Sequence, residues 1–254
     1  MKFLRLHIFL IVSVAILSTA CKTHYNVDHI DSVSVEMYDS VMVDSAMLLI
    51  IDEYKSSLDS SMNIIVGYSE IPMQKGQPES LLGNFVCDLV LETCIDAYAD
   101  SLNLTNKSLV LMNNGGFRSS LAKGAITVGD VYRLMPFDNE IVILKMPGSL
   151  MKSVFSTIAV YGGMPIAGPE IILRADEYTS VSFGGTPFDE NDTYFVITSD
   201  YIANGGDKIP GLDQNIMYFH TGILIRDAII DYFKMLSNNA STANPKLDGR
   251  IRYE

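Results

Sequence analysis

Residues 108–118 read S-L-V-L-M-N-N-G-G-F-R, an apolar run that passes into a turn-forming, polar segment. The run from Ser108 to Met112 is short, continuous and apolar, which is typical of a buried strand. The segment from Asn113 to Arg118 follows at the carboxyl end of that strand, where α/β folds usually place their ligands. The stretch therefore predicts an α/β fold with a candidate site in the loop after this strand.

Helical spacing and apolar runs on either side predict an irregular alternation of helices and strands. Predicted helices cover 46–58, 80–100, 127–134, 149–159 and 222–235, and predicted strands cover 63–68, 108–112, 141–146, 171–174, 179–183 and 193–199. Thr127 and Asp130 fit a capping box at the start of the third helix. Because the middle of the chain is rich in strands, we expect a single α/β (α+β) domain with a mixed β-sheet flanked by helices.

The composition limits the class of protein. The chain has 254 residues, of which 48% are hydrophobic and 19% charged, so it is too apolar to be a disordered tail. With 18 Lys and Arg against 30 Asp and Glu, it lacks the excess of cations that a broad nucleic-acid surface needs. We therefore predict no nucleic-acid partner.

The first residues have the pattern of an export signal. Lys2 and Arg5 precede the mostly apolar run 6–17, and residues 18–20 are small and lead into Cys21. A run of about a dozen apolar residues is shorter than the roughly 20 that a membrane-spanning helix needs. The pattern predicts a cleaved leader, and small residues before a cysteine favour a lipoprotein leader over an ordinary secretory peptide, which is the alternative.

This interpretation divides the chain into three parts. We expect residues 1–20 to be the lipoprotein signal peptide, 21–44 to be a tether and 45–254 to be the folded domain. Cys21 would be the lipidated first residue of the mature protein. The protein would then be anchored to a membrane of the cell envelope, facing the periplasm or the cell surface.

The two remaining cysteines, Cys87 and Cys94, lie in one predicted helix. Seven residues along a helix separate them by about 10 Å, which is beyond the reach of a disulfide. We expect two buried thiols.

The sequence lacks the motifs of a hydrolytic centre. After residue 20 the histidines are His24, His29 and His220, too few for a two-metal site, and no H-x-x-H motif is present. A G-x-S-x-G nucleophile motif, a Walker loop and a G-x-G-x-x-G fingerprint are missing as well. We predict no catalytic residue, no metal ligand and no cofactor in this chain.

Two loops are instead suited to holding a small polar ligand. Asn113 offers an amide and Arg118 a guanidinium fork that fits phosphate or carboxylate, although a plain turn with a surface arginine is the alternative. Tyr201 and Asp207 follow a predicted strand and could stack a base and accept hydrogen bonds from ribose. The alternative is a core tyrosine and an aspartate at a tight turn. The segment 136–139, P-F-D-N, is a similar candidate loop, although the pattern favours a plain turn there.

Several segments, in order, resemble the C-terminal domain of the 5′-nucleotidase family. They are G-N-F-V-C-D at 83–88, N-N-G-G-F-R at 113–118, G-A-I-T-V-G-D-V-Y at 124–132, P-F-D-N at 136–139, Y-I-A-N-G-G-D at 201–207, L-I-R-D-A at 224–228 and D-G-R-I at 248–251. The likeness covers roughly residues 45–252.

The resemblance implies a role in a secreted enzyme of two domains. In such an enzyme an N-terminal metallophosphatase domain carries the metals, and the C-terminal domain binds the base and ribose of the nucleotide. Asn113 and Arg118 would contact the substrate, Tyr201 would be one of two rings that sandwich the base, and Asp207 would bond the ribose.

The chain departs from the family pattern at two places. We expect the second ring in the 162–168 loop, where this chain has Met164 and no aromatic residue. Met164 would then contact the substrate with less area than a ring offers. An arginine expected shortly before Gly83 is missing, and Lys75 is the nearest cation.

Only about twenty residues lie between the leader and the first predicted helix, so we expect no metallophosphatase domain in this chain. The preferred hypothesis is an exported lipoprotein that is the substrate domain of a split 5′-nucleotidase, bound to a nucleotide or nucleoside. A separately encoded metallophosphatase would bring the divalent metals and the hydrolase activity in nucleotide catabolism. The alternatives are a non-enzymatic nucleotide-binding lipoprotein and a partner-binding remnant of the fold.

Overall fold

The computed structural model describes residues 44–104 and 106–254. Residues Leu49–Glu254 form one compact unit, and of the other unit, Met1–Leu48, only 44–48 are described. The predicted leader and the predicted lipidation at Cys21 lie outside the described residues.

The helices and strands alternate irregularly along the chain, as the sequence predicts. The helices are α1 (Ser45–Met62), α2 (Leu81–Leu102), α3 (Val128–Leu134), α4 (Gly148–Val160), α5 (Asp200–Ala203) and α6 (Ile225–Asn238). The strands are β1 (Ile65–Ser69), β2 (Ser108–Leu111), β3 (Gly124–Thr127), β4 (Glu140–Pro147), β5 (Ile166–Ala167), β6 (Pro169–Arg174), β7 (Glu177–Phe183), β8 (Thr186–Pro187), β9 (Thr193–Ser199), β10 (Met217–Leu224) and β11 (Ile251–Tyr253).

A five-stranded sheet forms the centre of the unit, in the order β10-β4-β9-β2-β5. Strands β2 and β9 are parallel, whereas β4 pairs antiparallel with both β9 and β10. The sheet is therefore mixed, and the predicted α/β class is confirmed.

Both faces of the central sheet are covered, which explains why residues 109–111 of β2 are all apolar. Leu109 and Leu111 belong to the hydrophobic cluster on one face, with Phe155 of α4. Val110 belongs to the cluster on the other face, with Phe85 of α2. Side chains alternate between the faces of a strand, so a strand that is covered on both faces is mostly apolar at successive positions.

Two smaller sheets complete the fold. Strands β1 and β3 form an antiparallel pair, and β11-β6-β7-β8 form a four-stranded sheet. The chain's last strand, β11, pairs parallel with β6, with Ile251 opposite Ile171.

The predicted local features of α2 and α3 are confirmed. Cys87 and Cys94 are buried free thiols in α2. At the start of α3 the Asp130 amide donates to the Thr127 hydroxyl over 3.2 Å, and the Thr127 amide donates to the Asp130 carboxylate over 2.8 Å. Both halves of the capping box are present.

The predicted start of the last helix is wrong. Residues 222–224 belong to β10, and α6 runs from Ile225 to Asn238. Gly222 has φ +72°, which is outside helical geometry, and Thr221 donates its hydroxyl to the Ile141 carbonyl of β4 over 2.7 Å. Pairing with β4 thus fixes these residues as strand, although their apolar spacing continues into the helix.

Helix α1 differs from the others because none of its side chains is buried. Its apolar stripe includes Ile51, Tyr54 and Leu58, with exposed fractions of 48%, 74% and 57%. In the described part of the chain, no helix has the length and apolar character needed to cross a bilayer.

Candidate functional site

The loop after β2 is held at both ends by backbone hydrogen bonds. The Met112 amide donates to the Pro165 carbonyl, and the Arg118 amide donates to the Leu134 carbonyl at the end of α3, each over 2.9 Å. Within the loop, a Cβ on Gly116 would lie 2.8 Å from the Asn113 side-chain oxygen. A larger residue at this position would therefore push the Asn113 side chain aside.

Arg118 lies on the solvent side of this loop. Its guanidinium donates to the Gly115 carbonyl over 3.3 Å and lies 5.6 Å from the centre of the Phe137 ring. A cation over an exposed ring contributes about 0.5–1 kcal/mol. One carbonyl uses one of the five guanidinium donors, so the others can reach a ligand.

The second predicted loop follows β9 and closes tightly around Tyr201. The Tyr201 hydroxyl donates to the Asp207 carboxylate over 3.1 Å. A Cβ on Gly206 would clash with the Tyr201 ring, so only glycine fits there. Asp207 has φ +53°, a left-handed conformation that few non-glycine residues adopt.

The two loops meet around one open cavity of about 320 Å³. Four of the five substrate-contact residues predicted from the sequence lie on its wall: Asn113, Arg118, Tyr201 and Asp207. The wall also contains Gly115, Gly116, Phe137 and Asn139. Small-molecule sites in proteins usually have volumes of about 300–1,000 Å³, so the cavity has room for a small ligand. Contact with substrate stays a prediction for each residue.

The cavity wall has two aromatic rings, and the second one lies outside the 162–168 loop where it was expected. Phe137, read as part of a turn in the sequence, lines the cavity together with Tyr201. The reason is strand pairing: β4 and β9 are antiparallel, with Ile141 opposite Ser199. The residues just before β4 therefore lie beside the residues just after β9. The sequence showed the P-F-D-N motif and Tyr201 separately, but it did not show that Phe137 and Tyr201 lie side by side.

Met164, the fifth predicted contact, lies beside this cavity. It is 6% exposed and belongs to the core cluster next to α4. It lines a smaller adjoining cavity of about 220 Å³, which also has Asn113 and Asp207 on its wall. Its role as a substrate contact stays a prediction.

Lys75 supports the Arg118 loop from behind. Its ammonium donates to the Phe117 carbonyl over 3.1 Å and to the Asn114 carbonyl over 3.5 Å. Phe117 is itself fully buried. Lys75, the cation nearest in sequence to the position where the family has an arginine, therefore bonds to the backbone of the loop. It is not part of the main cavity wall.

Arg226, from the L-I-R-D-A motif, supports the segment that carries Phe137. Its side chain is 8% exposed and forms an ion pair with Asp138. Its guanidinium also lies 4.2 Å from the Tyr132 ring centre and 3.5 Å from the Phe137 carbonyl. The motif thus contributes to the site by fixing a loop.

The D-G-R-I motif forms an internal network far along the chain from the cavity loops. Arg250 donates to both carboxylate oxygens of Asp88 over 2.6 and 3.0 Å, and to Asp248 over 2.8 and 2.9 Å. Hydrogen bonds from Arg250 lower the pKa of Asp248 below its ordinary value. The network ties the C-terminal strand to α2.

The G-N motif at the start of α2 belongs to the same network. The buried Asn84 amide donates to the Glu79 carboxylate over 2.5 Å and to the Lys246 carbonyl over 2.8 Å. Glu79 also accepts from the backbone amides of Asp248 and Gly249. These motif residues therefore hold the fold together and do not face the cavity.

Within residues 44–104 and 106–254 there is no group of three or more His, Cys, Asp or Glu side chains that could hold a metal ion. The described donor set therefore does not fit the two-metal centre of a metallophosphatase. We assign no metal-dependent step to these residues.

Comparison with known proteins identifies the family. The family model for the 5′-nucleotidase C-terminal domain matches residues 65–214, which contain both cavity loops and Phe137. The chain belongs to the 5′-nucleotidase family through this C-terminal domain.

Relatives agree with this assignment. The chain is 28% identical over 224 residues to the trifunctional nucleotide phosphoesterase protein YfkN of Bacillus subtilis (strain 168), covering 80% of this chain and 15% of that protein. It is 31% identical to protein UshA of Yersinia enterocolitica, covering 61% of this chain and 29% of UshA.

Solved structures agree in fold. The 5′-nucleotidase precursor from Thermus thermophilus superposes with a TM-score of 0.68 at 24% identity, covering 82% of this chain and 42% of that one. The chain thus spans less than half the length of these relatives.

Proposed function

We propose that this chain is the nucleotide- or nucleoside-binding substrate domain of a split 5′-nucleotidase. A separately encoded metallophosphatase would supply the divalent metals and the attacking water, and the pair would hydrolyse phosphate esters in nucleotide catabolism. The family assignment supports the substrate-domain role, because the model of the 5′-nucleotidase C-terminal domain matches residues 65–214.

The observation that carries the proposal is the chemistry of the 320 Å³ cavity wall. Phe137 and Tyr201 offer two rings to a base, since every base has a π-face that stacks on an aromatic side chain. Asp207 offers carboxylate oxygens to ribose hydroxyls, and Arg118 offers charged donors to a phosphate. A nucleoside monophosphate is a small ligand that uses all of these groups.

Binding by the chain alone should be weak. Stacking contributes about 1–3 kcal/mol per base, and a hydrogen bond to a charged group contributes about 1.5–3 kcal/mol. Association costs at least about 4 kcal/mol in lost translation and rotation. Stacking and one charged hydrogen bond at each of Arg118 and Asp207 leave at most about 5 kcal/mol after this cost. We therefore expect a Kd in the high micromolar to millimolar range, and a partner that closes over the ligand would strengthen binding.

Calorimetric or NMR titration with AMP, adenosine and inorganic phosphate tests the proposal. We expect AMP to bind most tightly and phosphate least. Tyr201→Ala and Asp207→Ala should each weaken AMP binding by about tenfold, because each removes one of the contacts above. Tyr54→Ala and Asp231→Ala are matched controls, since both residues are exposed and lie on other helices. Equal Kd values in all five proteins would rule out this cavity as the nucleotide site.

Helix α1 favours a second candidate function, the binding of a protein partner without catalysis. Its exposed apolar stripe directly precedes the matched domain, and apolar surface left exposed usually marks an interaction site. The two functions differ in one measurement. Under the split-enzyme proposal the purified chain alone releases no phosphate from AMP with any divalent metal, and adding the chain to the metallophosphatase increases phosphate release. Under the second function, adding the chain leaves phosphate release unchanged.

We also propose that the chain is an exported lipoprotein anchored at Cys21 to a membrane of the cell envelope, facing the periplasm or the cell surface. The support is the sequence pattern of residues 1–21. Intact-mass analysis should find lipid on Cys21, and Cys21→Ser should release the protein from membranes. An unmodified cysteine, or a variant that stays fully membrane-bound, would contradict the anchor.

A further inference from the structure

Tyr161 lies at the site but is absent from the predicted contacts. It follows α4, its side chain is 48% exposed, and its hydroxyl donates to the backbone carbonyl of Asp207 over 3.3 Å. Asp207 therefore accepts hydrogen bonds from two tyrosine hydroxyls. Tyr161 donates to its backbone carbonyl, and Tyr201 donates to its carboxylate. The two tyrosines come from different parts of the fold, one after α4 and one after β9.

The backbone at Asp207 needs such support. Asp207 has φ +53° and Lys208 has φ +52°, so two successive non-glycine residues adopt the left-handed region. Side chains other than glycine rarely adopt it because the Cβ approaches the following carbonyl. Gly205, with φ +94°, precedes them and adds freedom to the chain. Without outside contacts, this loop would have lower-energy conformations in which the carboxylate points elsewhere.

The backbone of Tyr161 is hydrogen-bonded on both sides. Its amide donates to the Thr157 carbonyl over 3.0 Å, and its own carbonyl accepts from the Gln77 side chain. Gly163 closes the same turn at φ +108°, where a Cβ would clash with the Pro78 carbonyl oxygen. The backbone of this turn is thus anchored to the segment before α2, and the Tyr161 ring extends from it to the Asp207 carbonyl.

We propose that Tyr161 is a positioning residue that sets selectivity for ribose. By holding the backbone of Asp207, it fixes the direction of the carboxylate at the cavity wall. A carboxylate has about four lone-pair sites, and Tyr201 uses one of them, so ribose hydroxyls can use others. This inference rests on the proposed nucleotide site, and it assigns Tyr161 no contact with the ligand.

The test compares AMP with 2′,3′-dideoxy-AMP, which lacks both ribose hydroxyls, in titrations of wild-type protein and Tyr161→Phe. We expect the wild type to bind AMP about tenfold more tightly, the effect of one hydrogen bond to a charged group. In Tyr161→Phe the ratio should fall to about twofold, because AMP binds less tightly while the Kd of the dideoxy ligand stays the same. Tyr68→Phe, an exposed tyrosine on β1, is the matched control and should keep the wild-type ratio.

The outcomes separate this inference from the proposed function. If the wild type binds AMP and Tyr161→Phe keeps the full ratio, the positioning role is overturned and the nucleotide site stands. If the variant weakens both ligands equally, Tyr161 only stabilises the fold and the inference is overturned as well. If the wild type binds neither nucleotide, the proposed function itself fails, and the inference fails with it.

Discussion

Two arginines from family motifs, Arg118 and Arg250, have opposite surroundings in this protein. Arg118 is exposed, donates to one backbone carbonyl and lies over the Phe137 ring. Arg250 has a side chain only 12% exposed and donates to two carboxylates and the Ile166 carbonyl. One guanidinium has donors available to a ligand, and the other has its donors occupied by the protein.

The difference shows that motif membership does not assign a role. Both arginines occur in segments that resemble the same family, and a guanidinium suits anion binding in either place. Burial and existing partners decide between them, because a donor already bonded to carboxylates gains little from a ligand. We therefore expect Arg250 to control stability and the cavity residues to control binding.

The largest effect is expected for Arg250→Ala. The variant leaves Asp88 and Asp248 facing each other without their shared cation, and it should lower the free energy of unfolding by about 2–3 kcal/mol. Urea denaturation measures the change. Arg252→Ala is the matched control, since that side chain is 48% exposed in its ion pair with Glu170 and should contribute less than about 1 kcal/mol. Equal losses of unfolding free energy in Arg250→Ala and Arg252→Ala would contradict the expectation that the buried arginine stabilises the fold more than an exposed one.

A smaller effect, on binding alone, is expected for Phe137→Ala. The ring is 44% exposed, so its removal should change stability little, but the loss of one stacking surface should weaken AMP binding by about 1–2 kcal/mol. Calorimetry gives the Kd, and denaturation confirms that the fold is kept. Met164→Ala should weaken AMP binding less than Phe137→Ala does, because a methionine offers a base less contact area than a ring. The reverse order of effects would make Met164 the more important contact with the base.

The smallest effect is the pH dependence of the Arg250 network. Hydrogen bonds from Arg250 lower the pKa of Asp248 in the folded protein. The contribution of Asp248 to the free energy of unfolding is therefore fully present above the unfolded pKa of about 3.9. It is lost as the pH falls through the lower folded value. Since Asp248 is 54% exposed, we expect at most about 1 kcal/mol. Asp248→Asn should flatten this part of the curve of unfolding free energy against pH, whereas an unchanged curve would contradict it.

The sequence was informative wherever the signal is local. The buried strand before Asn113 and the capping box of α3 depend on neighbouring residues, so periodicity and spacing were sufficient to predict them. The start of the last helix was misplaced because the apolar pattern of residues 222–224 fits the end of a strand as well as the start of a helix. Only the pairing of β10 with β4 distinguishes the two.

The candidate site divides in the same way. The sequence alone determined the family pattern and four residues of the main cavity wall, since these stand in two short loops that each follow a buried strand. Only the tertiary structure decided that Phe137 joins Tyr201, and that Tyr161 reaches Asp207. Those contacts depend on the antiparallel pairing of β4 with β9 and on the packing of the turn after α4, and the pairing of distant segments leaves no local pattern in a single sequence.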